Sequence, residues 1–293
     1  MELLHWEHRP SLRRPAFVAA FEGWNDAGNA ASGAVAYLSR SWGATRFATF
    51  DAEELFDFTS ARPQVSIESG ETRRIDWPSI VLSSAAIPGT DRDVVLMSGP
   101  EPQLRWRSLT TELCAACRAL GVSSAVVLGA MLADVPHTRP VRVSGGAATS
   151  ELAVAVGLEP SYYEGPTGIV GIISDTLTKE GIPTTSLWAS VPHYVSQSSS
   201  PKATLALVER ATRLLHAQLD TTDLQIASAA YERQVNELVA SDEDASAYVS
   251  KLEEQDAEER HTQDQAVGQP LRPASGERLA AEVERFLREH HRD

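Results

Sequence analysis

The chain has 293 residues, 42% of them hydrophobic and 23% charged, with a formal net charge of −14. This balance is that of a folded globular protein, and a chain of this length buries roughly three-quarters of its unfolded surface without disulfides or a metal. Nucleic acid and anionic membrane surfaces are bound through basic faces, so the acidic charge argues against both as partners.

No stretch approaches the ~20 apolar residues of a membrane helix. The opening segment, MELLHWEHRPSLRRP, places charges inside any would-be apolar run and does not read as a signal peptide. With two cysteines and no export signal, the expected location is the reducing cytoplasm.

Residues 15–21 (PAFVAAF) form a continuous apolar run, the pattern of a strand buried on both faces. EGWNDAGN follows as a loop, then AASGAVAYLSRSWG, with helical apolar spacing and a stop at Gly43. Residues 45–50 read as a second strand, and 64–76 alternate around a Ser-Gly turn as an edge hairpin. Strands are expected at 79–86 and 93–98, a helix over about 102–120, and a strand at 124–132. Ser150 to Val156 reads as a short helix and about 170–181 as a longer one. A strand over IPTTSLWASV comes next, then a helix of about twenty residues opened by Pro201. Alternating strands and helices predict an α/β fold: a three-layer α/β/α sandwich with a mainly parallel sheet and right-handed crossovers.

The last quarter differs. Residues 221–293 hold 17 acidic and 8 basic side chains and no strand-like run. We divide the chain into an α/β core, 1–220, and an acidic helical C-terminal region, 221–293. Residues 222–240 and 242–262 read as amphipathic helices, the first with Leu224, Ala227, Tyr231, Val235 and Leu238 on one face. A linker at 266–276 precedes a last helix, 277–291, with Leu279, Val283, Phe286 and Leu287. Apolar stripes on such helices require a docking surface on the core or on another subunit.

Glu22-Gly-Trp-Asn25-Asp26-Ala-Gly28 lies where the first strand feeds the first helix, the place where open parallel sheets bind ligands. It is not a phosphate loop, because GxGxxG and GxxxxGK[ST] are both absent and Glu22 and Asp26 would repel an anion. A sugar hydroxyl, an amine or a peptide group suits two carboxylates better. The plainer alternative is that Asn25 or Asp26 caps the helix.

Two further segments, Val135-Pro-His137-Thr-Arg139-Pro and Val191-Pro-His193-Tyr194, each place a histidine just past a strand. Paired imidazoles suit acid–base work near neutral pH. Otherwise each ends a strand and bonds a backbone carbonyl. Tyr162-Tyr-Glu164-Gly-Pro-Thr167-Gly is a loop in which Glu164 and Thr167 face a pocket, or else a plain turn.

Cys114-Ala-Ala-Cys117 lies inside a helix and not at its N-terminus, so it reads as core packing and not as a redox pair. Two histidines without further ligands do not make a zinc site, and no metal or cofactor is implied. There is no GxSxG or HExxH motif. Ser144-Gly145-Gly146 after a strand is too short to define an oxyanion loop.

Taken together, GWNDAG, SGPEPQLRW (98–106), LGA and MLADVPHTRP within 128–140, YYEGPTG (162–168) and SLWASVPHYVSQSSSPKATLALV (186–208) resemble the proteasome assembly chaperone family, in its high-GC bacterial branch. The match covers about 15–262. The resemblance implies a sandwich similar to nucleoside phosphorylases and hydrolases, a homo-oligomer with a trimer the count suggested for this branch, and a role in guiding proteasome ring assembly. Archaeal and eukaryotic relatives often end in hydrophobic-Tyr-any residue. This sequence ends His291-Arg292-Asp293, which argues against docking through that motif.

Two readings follow. The favoured one is a non-catalytic assembly scaffold whose partners are further copies of itself and proteasome subunits. The other is an enzyme or small-ligand binder in which Glu22, Asn25, Asp26, His137, Arg139, Glu164, Thr167, His193 and Tyr194 converge at the carboxyl ends of the strands.

Overall fold

The computed structural model describes residues 3–68, 72–147, 149, 153, 158 and 164–267. The expected short helix over 150–156, Tyr162 and Tyr163, the hairpin's Ser-Gly turn, the linker and last helix, and the final His-Arg-Asp lie wholly or almost wholly outside these residues.

The molecule is built on an eight-stranded sheet in the order β1-β3-β6-β7-β2-β8-β10-β9. Its strands are β1 (Leu4–Trp6), β2 (Ala16–Glu22), β3 (Thr45–Phe50), β6 (Val81–Ala86), β7 (Asp93–Pro100), β8 (Ser124–Ala133), β9 (Val143–Ala147) and β10 (Thr184–Pro192). The four central strands, β7-β2-β8-β10, pair in parallel. The outer pairings are antiparallel. The apolar run of β2 is buried along its whole length to Phe21, as a central strand covered on both faces requires.

Helices cover both faces. On one lie α1 (Ala30–Ser41) and α5 (Pro201–Leu215), whose Ala34, Leu38, Leu207 and Val208 pack with Val18 and Leu128. On the other lie α3 (Trp106–Leu120) and α4 (Ile169–Lys179), whose Leu109, Leu113, Ile173 and Leu177 pack with Phe17 and Val127. Cys114 and Cys117 are buried in that second layer as free thiols, and burial pushes Cys117 up to about 12. The one-turn helix α2 (Ala52–Leu55) follows β3. Hence the chain forms an α/β/α sandwich whose parallel part is the centre of a mixed sheet.

The hairpin β4 (Gln64–Glu68) and β5 (Thr72–Asp76) forms as expected, but as a separate two-stranded sheet. It pairs with neither edge of the main sheet. Beyond α5 the chain continues into α6 (Thr222–Ala240) and α7 (Glu243–Val267). Leu224, Tyr231 and Val235 of α6 and Val249 and Leu252 of α7 are buried, so the acidic region packs on the rest of the protein. No described helix is long and apolar enough to cross a membrane.

Candidate functional site: the cleft at the carboxyl ends of the central strands

The chain leaves β2 toward β3 on one side of the sheet, and leaves β8 toward β10 on the other. The carboxyl ends of β2 and β8 therefore flank a topological switch point, where open sheets leave a crevice. Here the crevice is a cleft of about 800 Å³. Gly23, Trp24 and Asp26 to Asn29 form one wall, Pro166 to Gly168 with Gly171 another, and Ser196–Ser198 a third, with Trp188, Ser186 and the Ser144–Gly146 stretch of β9 along the sheet.

The loop after β2 is held by several bonds. The Ala130 N–H of β8 donates to the Asn25 carbonyl at 2.7 Å, and Asp26 makes an isolated bridge to Ala130. Asp26 Oδ1 accepts the N–H groups of Ala31 at 2.7 Å and Ser32 at 3.1 Å, and Oδ2 accepts the Ser32 hydroxyl. This is N-capping by a residue placed slightly ahead of the helix. It matches the plainer of the two readings of Asp26. Burial raises the Asp26 pKa, and the bonds from Ser32 and Ala31 oppose that rise. Partial desolvation at the end of β2, and then the Asp26 charge, also raise Glu22, although its side chain reaches solvent.

Asn25 is fully buried, and its Nδ2 donates to Glu101 Oε1 at 2.6 Å. The same oxygen accepts the N–H of Ile169, the first residue of α4, at 2.9 Å. Glu101 thus joins the first loop to the start of α4. It was not among the residues singled out from the sequence, although its segment, SGPEPQLRW, was part of the resemblance. Gly168 is glycine because a Cβ there would lie 2.3 Å from Asn25 Oδ1.

Asp26 and Thr167 line the cleft, whereas Asn25 lies behind its wall. Glu22 is exposed at the end of β2, and Glu164 is exposed in the loop before α4. Neither lines the cleft.

His137, Arg139, His193 and Tyr194 lie elsewhere, beside the tail helices, with His137 buried and Arg139 and His193 exposed. His137 is 3% exposed. Its backbone N–H and its Nδ1 each lie 2.8 Å from the Tyr194 hydroxyl, and its Nε2 lies 2.9 Å from Asn236 Oδ1 on α6. A consistent assignment has Tyr194 donating to Nδ1 while Nε2–H donates to Asn236. Burial lowers the His137 pKa, and burial pushes Tyr194 up to about 12.

His193 Nδ1 lies 3.0 Å from Asp134 Oδ1, an oxygen that also accepts from Tyr248 of α7 at 3.3 Å. The rings of His193, Tyr194 and Tyr248 meet edge to face, with centroids 5.6–6.1 Å apart. Lys202 binds the His137 carbonyl and Glu232 at 2.5 Å each, Arg142 binds Asp256 at 2.5 Å, and Thr138 donates to Glu253. Arg139 is exposed and lines only a minor cavity of about 20 Å³ beside His137.

The two Pro-His segments therefore clasp α6 and α7 to the core. Among the described residues, no group of three His, Cys, Asp or Glu side chains is placed to hold a metal.

Fold and site define an α/β/α sandwich with a lightly charged cleft at its switch point and a helical C-terminal region clasped beside it. The PAC2 family model matches residues 20–239, and the chain belongs to the PAC2 family. It is similar to the proteasome-assembly chaperone homologue of Mycobacterium tuberculosis, at 46% identity and a TM-score of 0.74, over 80% of this chain and 99% of that one. A PAC2 family protein of Streptomyces avermitilis is 48% identical over the same shares, also with a TM-score of 0.74. PbaB of Pyrococcus furiosus, an archaeal proteasome activator, shares the fold at 16% identity and a TM-score of 0.65, over 81% of this chain and 99% of that one. Comparison with curated proteins found no match.

Proposed function

We propose that the chain is a non-catalytic assembly protein of the cytoplasm, acting as a homo-oligomer on proteasome-type subunits. The observation that carries this reading is the fate of its ionisable side chains. Of the residues best suited to proton transfer, His137 is bonded to Tyr194 and to Asn236 of α6, and His193 pairs with Asp134 and sets its ring against Tyr248 of α7, both away from the cleft. Among the described residues lining the cleft, Asp26 alone is ionisable, and its oxygens cap α1. General acid–base or nucleophilic catalysis needs a paired donor and acceptor facing the substrate. The names of the mycobacterial and archaeal relatives supply the kind of partner.

Self-association is supported by the β4–β5 hairpin. Val65 pairs with Ile75 and Ile67 with Arg73, so the three apolar side chains share one face, and they are 62%, 56% and 65% exposed for Val65, Ile75 and Ile67. An isolated two-stranded hairpin is marginally stable in water, and an apolar face on it is stabilised by a covering surface.

The test is ring assembly from unassembled proteasome subunits of the same cell, with and without substoichiometric full-length protein. Faster ring formation, with the protein absent from the finished ring, is the expected result. An unchanged rate and yield would remove the assembly role.

A further inference from the structure

We propose that the cleft between the carboxyl ends of β2 and β8 is a binding site for an uncharged, ring-bearing small molecule. This goes beyond the assembly role and does not rest on it.

The volume, about 800 Å³, is within the range of pockets that enclose drug-sized ligands. Its position is set by topology, since the crossovers diverge at β2 and β8.

The charge of the ligand follows from the lining. No lysine, arginine or histidine is present among the described lining residues, so an anion has no counter-charge. Asp26 is the single carboxylate among the described lining residues, is 5% exposed and already accepts two N–H groups and a hydroxyl, so it offers a cation little contact. A buried charge without a partner is strongly disfavoured, which leaves neutral compounds.

The shape of the ligand follows from Trp188. Its ring lies against Gly129, where a Cβ would come within 2.6 Å, and this holds it on the sheet as a flat platform on the cleft. Trp24 and Met131 add exposed apolar surface nearby. The hydroxyls of Ser144, Thr167 and Ser198 offer hydrogen bonds around this surface. An apolar lining with a few polar groups is the usual composition of a small-molecule site.

The test uses two fluorescent probes of similar size on the full-length protein: Nile red, which is neutral, and 1-anilinonaphthalene-8-sulfonate, which is an anion. Nile red is expected to bind one per subunit, at least tenfold more tightly than the sulfonate. Ser144→Phe fills the cleft from β9, where Ser144 is exposed, and is expected to weaken Nile red at least tenfold with an unchanged melting temperature. Met131→Lys adds a cation at the half-exposed end of β8 and is expected to tighten the sulfonate at least fivefold. Absence of Nile red binding, equal binding of both probes to the unmodified protein, or full retention in Ser144→Phe would each overturn the proposal. Retention in Ser144→Phe would place the probe on another apolar surface such as the hairpin.

Discussion

The Tyr194 hydroxyl lies 2.8 Å from both the backbone nitrogen and the Nδ1 of His137, closing a loop whose other side is fixed to Asn236 of α6. One phenol therefore orients the imidazole that holds the first tail helix. The β8 and β10 loops and α6 meet at this point.

Replacing His137 by alanine removes the ring partner of the Tyr194 O–H and of Asn236 Oδ1 in a part-buried site, leaving Tyr194 only the backbone N–H of residue 137. A buried donor or acceptor left unsatisfied costs about 1–3 kcal/mol. The variant is expected to lose about 2 kcal/mol in urea unfolding and to be cut earlier within α6 and α7 by limited proteolysis. An unchanged unfolding midpoint would mean that the clasp contributes little.

The same imidazole sets a pH dependence. Burial lowers the His137 pKa from its ordinary 6.5, the Asn236 bond and the carboxylates of Glu232 and Glu253 oppose this, and Lys202 adds to it. The folded state thus favours neutral histidine, and the unfolded state binds more protons below 6.5. This contribution to stability is complete above pH 6.5 and falls as pH drops from there through the lowered folded value. Urea midpoints measured from pH 7.5 down to 5.5 are expected to decline less in His137→Gln than in the unmodified chain. Parallel declines would assign the dependence to other groups.

Gly168→Ala forces a methyl group to within 2.3 Å of the Asn25 carboxamide. Asn25 is buried and tied to Glu101, so it has little room to yield. Overpacking of this kind costs about 1–3 kcal/mol. Denaturation of the Ala variant beside Glu101→Gln tests whether both act on the same joint. Coupling between them in a double-mutant cycle is the expected result, and simple additivity would separate them.

Asp26→Ala removes the acceptor for two N–H groups at the start of α1. Loss of an N-cap costs about 1 kcal/mol, and a comparable drop is expected by thermal unfolding. A gain in stability would indicate that the carboxylate is kept for a ligand instead.

The central strands were legible because burial on both faces leaves nearly unbroken apolar runs, as in Ala16–Phe21 and Ser124–Leu132. β9 was not, since Val-Ser-Gly-Gly-Ala carries a poor strand pattern and is held by its antiparallel pairing with β10. The three residues of β1 were too few to register. His137 and His193 were correctly placed at strand ends. Their side chains meet the tail helices and not the cleft because Asn236 lies 99 residues beyond His137, and local spacing carries no trace of such a contact. Glu101 was missed for a similar reason, as its partners Asn25 and Ile169 lie 76 residues before it and 68 after it.

The most direct measurement is native mass spectrometry of the full-length protein, alone and mixed with proteasome α-subunits from the same cell. The account predicts a homo-oligomer in the first spectrum, reduced to smaller species by Ile75→Lys in the hairpin, and a species containing both proteins in the second. A monomer that forms no mixed species at any ratio would contradict it.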